Sequence, residues 1–184
     1  MPPAEAYVRT YLQLFGGLAP AEVQARARGA DGAALFDAWE DYLAALGFPD
    51  HRLDPPRGTQ TNSLMMAAFE RLGIALCDRA LKHDLKSKKP VRLGDRLIFA
   101  FDVPAGRLDA AAFAPRFDVL HRTFLSYPAR LAPGGRAAAF FALYEATVAR
   151  HAVPGAAASR FTPSEAGWAA VCYGLVRHPE FHLY

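Results

Sequence analysis

Helical periodicity recurs along most of the chain, with apolar side chains three and four positions apart and polar side chains between them. Glycines and prolines separate seven such segments. One other run, at 96–102 (RLIFAFD), resembles a strand, and it is too short to support a sheet alone. The pattern therefore predicts an all-α fold of about seven helices. The predicted helices cover approximately residues 7–18, 20–28, 35–46, 62–83, 109–124, 137–148 and 162–175.

The longest predicted helix, at 62–83, has apolar side chains around most of its circumference, with Thr61 or Asn62 as its N-cap. A helix that is apolar on nearly all sides is typically packed by several neighbours. We therefore expect this helix to be central in the fold.

Two helix starts are marked by their local sequence. Asp109 can cap a short helix through Phe113, and Pro115 then kinks that helix or starts another. The run 162–165 (TPSE) is a capping box with proline at the first helical position. These signals predict helices from about 110 and 163.

Length and composition predict a single globular domain over 1–184, because 52% of the 184 residues are hydrophobic and 21% are charged. There is no apolar run long enough for a transmembrane helix. The first residues, MPPAE, lack the features of a signal peptide. We therefore expect a cytoplasmic protein, or a periplasmic one if an export signal was removed.

The chain has two cysteines, Cys77 and Cys172, which form either one long-range disulfide or two buried thiols. The expected cytoplasmic location favours two buried thiols, because disulfides are rare in the cytoplasm.

Positive charge concentrates in a basic segment, defined here as residues 82–96. It contains all four lysines, Lys82, Lys86, Lys88 and Lys89, and carries a local charge of +4 within a chain of net charge +3. Such a segment binds an anionic partner or serves as a solvated connector. Nucleic acid is not expected as the partner, because no aromatic residue lies between the basic residues.

The connection at 47–60 is long and contains three prolines and two glycines. Its polar residues make it a candidate binding site, the alternative being an ordered loop whose charges pair with one another. The candidate residues are Asp50, His51, Asp54 and Arg57.

Histidines provide the remaining candidates. His178 and His182 are weak candidates for metal ligands, although Pro179 disfavours the helix that their spacing requires. Asp118 and His121 have the spacing of a di-metal carboxylate motif, but a core or boundary histidine is the favoured interpretation of His121 and of His83. Nucleophile-elbow, phosphate-loop and haem-attachment motifs are absent from the sequence.

The C-terminal run from Trp168 and Cys172 to the Pro-Glu-Phe tail at 179–181 resembles a family pattern. It is similar to the C-terminal helical regions of large secreted bacterial proteins that accompany c-type cytochrome domains. The resemblance covers about twenty residues. It implies an extracytoplasmic location and no established enzymatic role.

Two functional predictions follow from these features. The first is a non-catalytic interaction or accessory module that uses the basic segment or an apolar groove. The second is a small-molecule- or metal-binding helical protein, with or without enzymatic activity, that uses the 47–60 loop or the C-terminal histidines.

Overall fold

The computed structural model describes residues 13–14, 63–86, 89–153 and 161–182. The chain divides into two compact units, residues 1–79 with 182–184 and residues 80–181. The described part is helical and contains no strand, which confirms the predicted all-α class for these residues. Apart from residues 13–14, which are helical, the first three predicted helices lie outside the described residues, so the count of seven stays a prediction. None of the described helices has both the length and the apolar character that crossing a bilayer requires.

Helix α1, Ser63–Lys86, corresponds to the predicted helix 62–83. The predicted caps at 61 and 62 lie outside the described residues, and the central position of the helix stays a prediction. His83 and Lys86 are in the last turn, where positive charge stabilises the negative end of the helix dipole. The prediction of a core or boundary position for His83 was wrong, because 42% of its side chain is exposed.

A largely irregular segment follows α1 and includes the run that resembled a strand. It contains a short 3-10 helix, Leu93–Asp95. Residues 96–102 form no sheet, and the amide of Phe101 donates to the carbonyl of Phe99 across 2.7 Å. Ile98 and Phe99 are buried, which accounts for the apolar character of the run.

Helix α2, Ala110–Leu125, begins as its sequence predicts. Asp109 is the N-cap, and its carboxylate accepts from the amide of Ala112 at 2.7 Å. Pro115 lies inside this one helix and does not start another. The helix ends at Ser126, whose φ of 64° is left-handed. A 3-10 helix, Ala129–Leu131, follows it.

Helices α3, Arg136–His151, and α4, Pro163–Val176, pack closely against each other within the second unit. Gly134 and Gly135, with φ of 70° and 66°, introduce α3 in a conformation that suits glycine. The predicted capping box begins α4. Its two reciprocal bonds join Thr162 Oγ1 to the Glu165 amide and the Thr162 amide to the Glu165 carboxylate.

Two glycines of α4, Gly167 and Gly174, allow this close approach. A Cβ atom at Gly167 would lie 2.6 Å from Cδ2 of Tyr144, and one at Gly174 would lie 2.8 Å from Cε1 of Phe140. The two glycines are seven residues apart and therefore lie on one helix face. That face fits the buried aromatic side chains of α3.

Stacked and tilted aromatic rings form the core of the second unit. Phe113 of α2 lies at the centre, with its ring 5.0 Å from that of Trp168 and 5.5 Å from that of Phe117. Tyr144 is 5.4 Å from the same ring, and its hydroxyl is 2.9 Å from the hydroxyl of Ser164. Offset and tilted rings at these distances add to the energy of apolar burial.

The cysteines differ from the favoured prediction. Cys77 and Cys172 are both buried, as expected, but both are disulfide-bonded rather than free. The sequence could not distinguish the two states, because a buried thiol and a buried half-cystine have the same apolar surroundings.

We predict that Gly167→Ala destabilises the protein, because the new methyl group has no space against the Tyr144 ring. Overpacking costs about 1–3 kcal/mol, which exceeds the gain of about 1 kcal/mol from helix propensity. Chemical denaturation of the variant gives the difference in free energy of unfolding. Gly106→Ala is the control, since a Cβ there meets nothing within 4 Å. Equal stability of the two variants would contradict the packing described for α3 and α4.

Candidate functional site

The predicted loop site lies outside the described residues, since Asp50, His51, Asp54 and Arg57 all belong to 47–60. Their role as a binding site therefore stays a prediction.

The basic segment is described except for residues 87 and 88, so Lys88 lies outside the described residues. Lys82 and Lys89 are exposed. Lys86 is exposed as well, and its Nζ lies 2.8 Å from the carboxylate of Glu165. One of the predicted binding lysines thus takes part in an ion pair between α1 and α4.

Of the two C-terminal histidines only His178 has a described side chain, so their use as a metal-binding pair stays a prediction. His178 Nδ1 accepts a hydrogen bond from the amide of Glu180 at 3.3 Å, and residues Pro179–His182 form a 3-10 helix. The side chain of His182 lies outside the described residues. Among the described side chains, no three of His, Cys, Asp or Glu are grouped so that they could hold a metal ion.

Asp84 anchors the segment that follows α1. Its side chain is fully buried and accepts from three consecutive amides, those of Leu97 at 2.8 Å, Ile98 at 3.1 Å and Phe99 at 3.0 Å. The ring of His83 makes a fourth contact at 2.8 Å. A buried carboxylate is costly without partners, and these four contacts offset that cost.

A cavity of about 340 Å³ lies beside this anchor. Its apolar walls come from Leu85 of α1 and from residues on both sides of the run 97–99, whose amides donate to Asp84. The apolar residues of that segment are Pro90, Val91, Val103 and Pro104. The charged residues that line the cavity are Asp84, Arg96, Asp102, Arg116 and Glu165.

The two arginines of the cavity are held by backbone carbonyls. Arg96 Nη1 donates to the carbonyl of Phe99 at 3.1 Å and to that of Phe101 at 2.5 Å. Arg116 donates from Nε to the carbonyl of Asp102 at 2.8 Å and from Nη1 to that of Ala112 at 2.7 Å. Neither guanidinium forms an ion pair with a carboxylate of the described residues.

A second polar cluster surrounds Arg136, whose side chain is buried near the start of α3. Its Nη1 lies 2.6 Å from the hydroxyl of Tyr127 and 3.0 Å from Oε2 of Glu180, and its Nη2 lies 2.6 Å from Oε1 of Glu180. The Tyr127 hydroxyl also donates to Oε2 of Glu180. Hydrogen bonds from Arg136 and Tyr127 lower the pKa of Glu180 from 4.5 to about 2.

His121 completes this cluster and uses both of its ring nitrogens. Nδ1 is 2.7 Å from the carbonyl of Tyr127, which can only accept, so Nδ1 carries the proton. Nε2 then accepts from Arg136 Nη1 at 3.1 Å. Burial and the positive charge of Arg136 lower the pKa of His121, which keeps the ring neutral. The prediction of a core or boundary histidine is confirmed.

The Asp118 and His121 pair does not converge as a di-metal motif would. One carboxylate oxygen of Asp118 accepts from the Ala129 amide at 2.7 Å, and the other accepts from Arg122 Nε at 2.7 Å. Asp118 thus holds the turn after α2, while His121 faces Arg136.

Sequence reasoning missed the roles of Asp84, Arg96, Arg116, Arg136 and Glu180. Their partners are too distant along the chain for local spacing to indicate them, as with Arg136 and Glu180, 44 residues apart. A carboxylate at position 84, next to the apolar Leu81 and Leu85, was the one available signal.

Comparison with known proteins adds no assignment: no family model, curated protein or solved structure matches this chain.

We predict that Glu180→Gln lowers the free energy of unfolding at pH 7 by about 1–3 kcal/mol, because Arg136 loses its charged partner. Since folding lowers the pKa of Glu180, its contribution is complete above its ordinary pKa of 4.5 and is lost as the pH falls towards 2. Denaturation of wild type and variant between pH 7 and pH 2.5 measures this effect, and the difference should shrink with acidification.

Glu145→Gln is the matched control, because it breaks the exposed ion pair between Glu145 and Arg107. Exposed pairs contribute less than about 1 kcal/mol. A Glu180→Gln penalty that matches this control, or one that does not change with pH, would contradict the role assigned to the buried pair.

Proposed function

We propose that the chain is a non-catalytic interaction module that binds an acidic segment of a partner protein through its basic segment. The observation that carries this proposal is the division of charge within the second unit. The groups of the Arg136 cluster donate to and accept from one another, whereas Lys89 and Arg92 of the basic segment form no ion pair with a described carboxylate.

The buried polar groups are poorly suited to acid–base chemistry. Both nitrogens of His121 are occupied, and both carboxylate oxygens of Glu180 accept hydrogen bonds. A general acid or base needs a pKa near the working pH, whereas the pKa of Glu180 is about 2. This supports a structural role for the Arg136 cluster.

Two exposed cations of the basic segment have no such internal use. Lys89 and Arg92 are exposed, and neither forms an ion pair with a described residue. Lys86 is set apart from them by its bond to Glu165 and by its place in the last turn of α1. Lys89 and Arg92 are therefore the cations most available to a partner.

An exposed apolar side chain favours a protein partner over a simple polyanion. Leu93, next to Arg92, has 43% of its surface exposed. Protein interfaces combine arginine with apolar contact, whereas non-specific binding to nucleic acid depends on charge and on stacking against aromatic rings. An acidic peptide with interspersed leucines fits this combination.

The disulfide-bonded cysteines support an oxidising compartment for this interaction. This agrees with the periplasmic location, which was one of the two expected from the sequence. Disulfides persist in the periplasm and outside the cell and are rare in the cytoplasm. Both cysteines of this chain are disulfide-bonded. Binding experiments should therefore use oxidised protein without added reductant.

We predict that the double variant Lys89→Glu/Arg92→Glu binds an acidic peptide at least about tenfold more weakly than wild type, since two attractive charges become repulsive. The probe is a fluorescein-labelled peptide of alternating Glu and Leu, measured by fluorescence anisotropy. Arg130→Glu/Arg150→Glu, at two other exposed arginines, gives the same change in net charge and should bind like wild type.

Three results would contradict the proposal. They are the absence of peptide binding by wild type, an equal loss in both double variants, and tighter binding of a DNA duplex than of the peptide. The last result would indicate a nucleic-acid-binding function instead.

A further inference from the structure

The cavity beside Asp84 has a surplus of hydrogen-bond donors. Two of its three carboxylates are occupied: Asp84 accepts from three amides and His83, and Glu165 accepts from Lys86 and from the Thr162 amide. The third, Asp102, is exposed.

The donors belong to Arg96 and Arg116. Arg96 Nε is buried and has no hydrogen-bond partner among the described residues. Arg116 uses Nε and Nη1 on backbone carbonyls, and its Nη2 donates to no described group. A buried donor without a partner costs about 1–3 kcal/mol, which a bound acceptor would recover.

The charge of these two groups points to an anionic ligand. Carbonyl partners fix the two guanidinium groups in place but do not neutralise them, and neither forms an ion pair with a described carboxylate. Arginine presents parallel N–H groups that match the two oxygens of a carboxylate. The two guanidinium groups are thus held in place for a carboxylate that the described residues do not supply.

The walls and the size of the cavity define the rest of the ligand. Pro90, Val91, Val103 and Pro104 offer apolar surface, which an inorganic anion would not use. A volume of about 340 Å³ is at the lower end of the range of ligand pockets. We propose that this cavity binds a small organic carboxylate, with its anionic group at Arg96 and Arg116 and its apolar part against the prolines and valines.

Benzoate, benzamide and inorganic phosphate are the probes that test this proposal, followed through the Nε–Hε NMR signals of the arginines. Benzoate should shift the Arg96 signal and saturate at millimolar concentration. Benzamide has the same shape without charge, and phosphate has charge without an apolar part, so both should bind at least about tenfold more weakly.

Two substitutions with opposite expected effects locate the site. Arg116→Gln should weaken benzoate binding about tenfold, because it removes a charged donor, whereas Arg130→Gln outside the cavity should leave binding unchanged. Asp102→Asn removes a repulsive charge at an exposed position and should strengthen binding about twofold to fivefold.

Three outcomes would overturn the proposal. They are equal affinity for benzoate and benzamide, tighter binding of phosphate than of benzoate, and no benzoate binding at up to about 20 mM. None of these depends on the acidic-peptide assay, which uses Lys89 and Arg92, so either function can fail without the other.

Discussion

The carboxylate of Asp84 determines the path of the chain between α1 and α2. A segment with buried apolar side chains and no sheet partner needs another acceptor for its amides. Asp84 accepts from the amides of residues 97, 98 and 99 at 2.8–3.1 Å. Because these three bonds fix the run, Ile98 and Phe99 are buried and Arg96 reaches the carbonyls of Phe99 and Phe101.

The cavity is a consequence of this anchor. Its lining includes Arg96, Asp102 and the apolar residues on either side of the fixed run. Arg116 connects the same segment to α2 through the carbonyl of Asp102. One buried carboxylate thus orders an irregular segment, and that segment brings two guanidinium groups and an apolar wall to one place.

Different contacts hold the remainder of the second unit together. Small residues on α4 admit the aromatic side chains of α3, and the ion pair of Arg136 with Glu180 holds the C-terminal turn to the start of α3. The second of these contacts uses the charges of Arg136 and Glu180 within the fold. The contrast between this internally paired charge and the exposed Lys89 and Arg92 is what supports the proposed binding module.

Local signals in the sequence predicted the helices well. The Asp109 cap, the capping box at Thr162 and the glycines before α3 act within a few residues, so their effect is readable from spacing alone. The structure of the run at 96–102 was harder to predict, because its apolar pattern suits either a strand or a buried irregular segment. Only the acceptor at Asp84, 13 to 15 residues earlier, distinguishes the two.

The geometry of the candidate sites depends even more on contacts between residues that are far apart in the sequence. The basic segment was visible in the sequence, but the pairing of Lys86 with Glu165 was not, since 79 residues separate them. Arg96 and Arg116 are likewise brought to one cavity by the fold. Their pairing with carbonyls rather than carboxylates has no sequence signature.

Amide hydrogen exchange at Leu97, Ile98 and Phe99, in wild type and in Asp84→Asn, tests the central claim most directly. The side-chain amide of asparagine replaces one acceptor oxygen with a donor. In wild type these three amides should exchange far more slowly than that of exposed Ala100, and in the variant their protection should fall at least about tenfold. Unchanged protection in a folded variant would contradict the claim that Asp84 orders this segment.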